Sequence, residues 1–134
     1  MTERAEQAQR LHEKGYNCAQ AVVCAYCDQF GLDEETAYKL AEGFGLGMGI
    51  MEVCGALSGA FLLAGQQGSA GPAHPGETKA QTYRTTKALA NAFREKNGTV
   101  LCRELKGVAD GQVRRSCPGC IQDACALVEQ FLTE

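Results

Sequence analysis

This chain has little bulk with which to build a core. Of its 134 residues, 16 are Gly and 19 are Ala, while Leu, Ile, Val and Phe together number only 26. Side chains this small fill space only when backbones come close together, which helices with Ala- and Gly-lined faces can do. So few large apolar residues would suggest disorder if the net charge were high, but the formal charge is only −3. A chain of this length makes one domain, 1–134, and buries roughly two-thirds of its unfolded surface.

Hydrophobic periodicity points to helices. Ala5, Ala8 and Leu11 form one stripe over residues 3–14. Asn17 suits an N-cap for 18–30, a segment apolar nearly all round and therefore central. Asp33 starts a third helix, with Ala37, Leu40, Ala41 and Phe44 on one face. Gly43, Gly45, Gly47 and Gly49 alternate through a loop, and a helix follows from about Glu52 to Ala64. Residues 66–77, with three Gly and two Pro, read as a loop. Thr78 to Lys96 is a long polar helix offering Tyr83, Leu89, Ala90 and Phe93 inward. Residues 101–105 form a short turn or helix, and 107–116 are irregular. Cys120 to Leu132 closes the chain, with Ala124, Leu127, Val128 and Phe131 inward. No segment alternates strictly, so strands are not expected. The expectation is an all-α, single-domain bundle of five to six helices, with a Gly-rich loop before the central Cys helix.

Several function classes lose support. The mild negative charge and the absence of Trp offer nucleic acid neither attraction nor stacking. Residues 44–65 are long and apolar enough to imitate a membrane span. However, Glu52 sits mid-span, the glycines weaken a helix, and no basic cluster flanks it. The N-terminus lacks the apolar stretch of a signal peptide, so a cytoplasmic location is expected. The glycine spacing is not that of a phosphate-binding loop. A core this light leaves a homodimer open, but no heptad seam specifies one.

Eight cysteines then need an account. In a reducing cytosol they are metal ligands or exchangeable thiols rather than structural disulphides. Cys24 and Cys27 share a helix face and read as small hydrophobic filler. Cys18 and Cys54 lie near helix starts, where unpaired N–H groups favour a thiolate. Cys102 stands alone before Arg103. Cys117-Pro118-Gly119-Cys120 is a C-x-x-C at a helix entry with Arg114 and Arg115 upstream, a setting for a redox pair. It lacks the βαβ context of a thioredoxin. Neither C-x-x-C precedes a His, so c-type haem attachment is excluded. His12 and His74 are weak ligand candidates. Lys87 and Arg94 read as a solvated face.

The order Tyr16-Asn17-Cys18-Ala19-Gln20-Ala21-Val22, then Gly43-Phe44-Gly45-x-Gly47-Met48-Gly49, then Cys54-Gly55-Ala56-x-x-Gly59, then Cys102-x-Glu104-Leu105, then Cys117-Pro118 resembles the C_GCAxxG_C_C family of redox-active proteins. The resemblance implies a helical domain with four framework cysteines: Cys18, Cys54, Cys102 and Cys117. Similar domains precede the haem part of split-Soret cytochromes, where four cysteines hold an iron–sulphur cluster. It therefore implies a cluster, 2Fe–2S in type, on those four thiolates, with electron transfer to an unidentified redox partner. The loop of Gly45, Gly47 and Gly49 would offer backbone N–H groups to the cluster sulphurs. Metal-free thiol–disulphide exchange through Cys117 and Cys120, and a redox-silent zinc module, remain as alternatives. Cys24, Cys27, Cys120 and Cys125 lie outside the four-cysteine pattern.

Overall fold

A computed structural model describes residues 1–132 and is all-helical, with no strand among them. The seven α-helices are α1 (Glu3–Glu13), α2 (Cys18–Tyr26), α3 (Glu34–Ala41), α4 (Gly55–Gly68), α5 (Lys79–Asn97), α6 (Cys102–Leu105) and α7 (Cys117–Phe131). The count exceeds the expected five to six because residues 102–105 close a full turn.

Local chemistry sets the helix starts. Thr2 caps α1 by accepting from the Ala5 N–H. Asn17 and Gln20 form a reciprocal capping box on α2. Asp33 caps α3 through the Thr36 N–H. At α7 the helix begins three residues earlier than expected. Ser116 accepts from the Gly119 N–H at 3.1 Å, and Pro118 sits in the first turn, where its missing N–H costs nothing. The C-x-x-C is therefore inside the helix, not before it. The fourth helix is also shifted: it starts at Gly55 and runs through Gly68. Cys54 stays extended because its N–H donates to Val100 O at 2.8 Å. That bond belongs to a single antiparallel bridge, Val53 against Leu101, with Cys102 N–H donating to Glu52 O at 2.6 Å on its other side.

The core forms where α2 and α4 cross, with α1, α5 and α7 around them. Tyr26, Val22, Leu57, Leu63, Leu89, Phe93, Ile121 and Val128 supply its bulk. Ala19, Ala21, Ala56, Ala60 and Ala124 fill the spaces between helices, all fully buried. At the crossing, a Cβ on Gly59 would lie 3.0 Å from Ala19 O and 3.1 Å from Val22 Cβ. Three expected core residues point outward instead: Leu40, Tyr83 and Phe131. A helical stripe is wider than the strip a small-residue neighbour can cover, so its edge positions face water. Among the described residues, no helix is long and apolar enough to cross a membrane.

Two glycines of α4 are expected to separate packing from propensity. Gly59→Leu overfills the α2 crossing and should cost roughly 1–3 kcal/mol. A methyl group on Gly65 would meet nothing within 4 Å, so Gly65→Ala should gain about 0.5–1 kcal/mol. Urea unfolding of both variants checks the pair.

Candidate functional site

The helix starts converge. Cys18, Cys102 and Cys117 are the first residues of α2, α6 and α7, and Cys54 is the residue just before α4. All four line one cavity of about 170 Å³, together with Cys120 one turn into α7. The two arms of the Val53–Leu101 bridge hold Cys54 and Cys102 side by side. Cys18 arrives on α2 through its contact with α4, and Cys117 and Cys120 arrive on α7. Among the described residues, no group of three or more His, Cys, Asp or Glu side chains is spaced as a metal site.

Instead, the sulphurs stand in two neighbouring pairs, Cys18 with Cys117 and Cys120 with Cys54. The neighbouring Cys18 thiol brings Cys117 down to about 6 against the effect of burial, with help from the positive charge of Lys106. Lys106 Nζ lies 4.0 Å from Cys117 Sγ. Cys54 is held low by the neighbouring Cys120 thiol and by the N–H groups of Leu57 and Ala56, again against burial. Their partners shift the other way: the same pairing and burial both raise Cys18 and Cys120. Burial raises Cys102, and the nearby Cys54 charge adds to it. At neutral pH the Cys117 thiolate thus stands beside proton-bearing thiols.

The wall of the pocket is anchored by a buried carboxylate. Asp123 is 3% exposed and accepts from Arg115 through both Nε and Nη2 at 3.0 Å, from Lys96 at 2.6 Å and from Asn97 at 3.1 Å. Burial alone would raise its carboxyl, but these donors outweigh it and hold it below the usual range. Arg115, fixed in this way, lines the cavity.

The glycine loop closes one side of the cavity. Leu46 is its residue in the cavity wall, and the N–H groups that reach a sulphur come from the first turn of α4. Gly45 packs on the Asn17 side chain. A Cβ on Gly47, at φ +59°, would lie 2.7 Å from the Glu52 N and 2.8 Å from the Cys102 Cβ. Leu46, Met48 and Met51 also adopt left-handed backbone, which costs non-glycine residues energy and persists only where the surroundings enforce it. Gly49 touches nothing in this way.

The remaining cysteines lie apart. Cys24 and Cys27 face a separate crevice beside Arg4, Asp28 and Glu34, and burial pushes Cys24 up to about 12. Cys125 is fully buried in α7 and is likewise pushed up to about 12. Sequence reasoning offered Cys120 only as an exchange partner of Cys117 and His12 only as a weak ligand candidate, and it missed Lys106 in the cavity wall. His74 pairs with Glu77 in the 69–78 loop, away from the pocket.

A family model described as "Putative redox-active protein (C_GCAxxG_C_C)" matches residues 16–131. The chain belongs to that family. No curated protein and no solved structure matches it. In this C_GCAxxG_C_C protein the four framework cysteines share one cavity with a fifth, and the pattern's second glycine, Gly59, is the helix-crossing residue.

Cys117 should be the fastest thiol to alkylate near neutrality, with a pH midpoint of about 6. Below that midpoint it is protonated and slow. Cys18→Ala removes the stabilising neighbour and Lys106→Met removes a charge, so both should move the midpoint upward. Iodoacetamide labelling followed by peptide mapping across pH reads this. Gly47→Ala should displace Cys102, seen as faster labelling of that buried thiol.

Proposed function

We propose that this protein is a redox carrier whose Cys18, Cys54, Cys102 and Cys117 ligate an iron–sulphur cluster, 2Fe–2S in type, in a cytoplasmic setting. The observation that carries the reading is the convergence of four helix starts on one cavity lined by five thiols. Helix N-termini place partial positive charge where sulphur must become anionic, and among the described residues no carboxylate lines the cavity to compete. An all-thiol donor set suits such a cluster, which supplies one-electron chemistry when bound.

The chain's own residues have definite tasks in this reading. Cys117 is ready as a thiolate and Cys54 is shifted toward one, whereas burial and their neighbours favour the protonated form of Cys18 and Cys102, which must give up protons to ligate. Cys120 remains as a thiol beside Cys54, placed to donate to a ligating sulphur. Leu46 and Leu105 keep water from the apolar side of the cavity, and Lys106 at its rim offsets negative charge. The rim cations would also meet the acidic groups of a redox partner.

Protein isolated without oxygen should be coloured and carry iron and acid-labile sulphide in equal amounts. Cys54→Ala should abolish both. Loading should release protons and weaken as pH falls below about 6, where Cys117 also has to be deprotonated first. A colourless chain that takes up no iron after reconstitution overturns the reading, and stoichiometric zinc from the native host would favour a structural metal instead.

A further inference from the structure

The five pocket cysteines divide by depth. Cys54, Cys102 and Cys120 are buried, whereas Cys18 and Cys117 are only partly covered. These two outer sulphurs come from different helices, α2 and α7, line the same cavity, and are each other's main electrostatic neighbour. Cys120, the partner that the C-x-x-C spacing suggests for Cys117, is 3% exposed and has Cys54 as its main neighbour instead. The local motif is therefore split between two pairs. Of the two pairs, only Cys18–Cys117 consists of partly covered residues, and Lys106 Nζ lies 4.0 Å from Cys117 Sγ.

We propose that Cys18 and Cys117 form a reversible disulphide at the mouth of the pocket, exchanging with the disulphides of low-molecular-weight thiols, and that this bond closes the site to metal. The Cys117 thiolate attacks one sulphur of the small disulphide RSSR. A Cys117–SR bond forms, the S–S bond of the reagent breaks, and RS⁻ leaves. The Cys18 sulphur then attacks the Cys117 sulphur. Its proton leaves with the second RS⁻ as RSH, and the Cys18–Cys117 bond remains. Two protein thiols are oxidised by two electrons, and RSSR is reduced to two equivalents of thiol. Lys106 is placed to steady negative charge on the attacking sulphur and on the departing thiolate. The exclusion of metal rests on the ligand reading above, because the same two sulphurs cannot be both joined and ligating. The disulphide itself does not rest on it.

The test uses the metal-free wild-type chain in anaerobic mixtures of reduced and oxidised glutathione, with free thiols blocked and peptides mapped by mass spectrometry. The expected result is the loss of two free thiols per chain, both in one Cys18–Cys117 cross-link, restored by excess reduced glutathione. Cys18→Ser should instead trap glutathione on Cys117. A Cys117–Cys120 cross-link, or glutathione persisting on Cys117 of the wild-type chain beside a free Cys18, overturns the proposal. The oxidised and reduced chains are then each given iron and sulphide. The oxidised chain should take up none until dithiothreitol is added, and equal uptake by both overturns the exclusion. A reduced chain that takes up no iron overturns the ligand reading and the exclusion with it, whereas the cross-link stands or falls on the peptide map alone.

Discussion

The close crossing of α2 and α4 is the contact on which the rest of the molecule depends. Gly55 and Gly59 lie against the first turn of α2, near enough that a methyl group on Gly59 would press on Ala19 O. Two backbones at that distance cannot accommodate large side chains between them, which is why so much of this core is alanine. The crossing also places the start of α2 beside the start of α4, and so Cys18 beside Cys54. Close packing and site assembly are thus one event. A bulkier residue at the crossing would loosen the core and draw the thiols apart together.

Cys102 reaches the same place by other means. Its helix is one turn long and could not hold a position alone. The Val53–Leu101 bridge supplies the rigidity, with one hydrogen bond from the backbone of Cys54 and one from the backbone of Cys102. The left-handed loop over 46–51 then packs Gly47 onto the Cys102 side chain. Strained backbone at Leu46, Met48 and Met51 is tolerated because the bridge and the helices on either side leave the loop no relaxed route. Arg103 pairs with Glu52 across the same junction.

Burial and neighbouring groups act in opposite directions on two of the pocket sulphurs, and geometry decides which wins at each. Burial disfavours every thiolate, yet Cys117 and Cys54 are shifted down because each has a neighbouring thiol that favours its charged form. Their partners are shifted up by the same pairing. Five sulphurs in one small cavity could not all be anionic without a cation among them. The pairing is how the chain accommodates them as free thiols.

Much of this protein is legible from residue order. The caps at Asn17 and Asp33, the all-round apolar α2, the loop of alternating glycines and the helical class follow from local rules, because capping and periodicity act over a few residues. Apolar periodicity starts α7 three positions late, because the cap is Ser116, ahead of the first apolar repeat. It starts α4 too early, because nothing local marks Cys54 as bridged to Val100. Periodicity also places Leu40, Tyr83 and Phe131 inward, since it cannot say how wide a strip the neighbouring helix covers. The sequence alone determined the helices, the cysteine count and the family pattern, since these depend on residue identity and short-range spacing. Only the tertiary structure decided which thiols meet: that Cys120 joins the framework four, that Cys117 faces Cys18 rather than Cys120, and that Lys106 and His12 stand at the rim. Those contacts join residues distant in the chain, and helix crossing and backbone bridging set them, not spacing along the sequence.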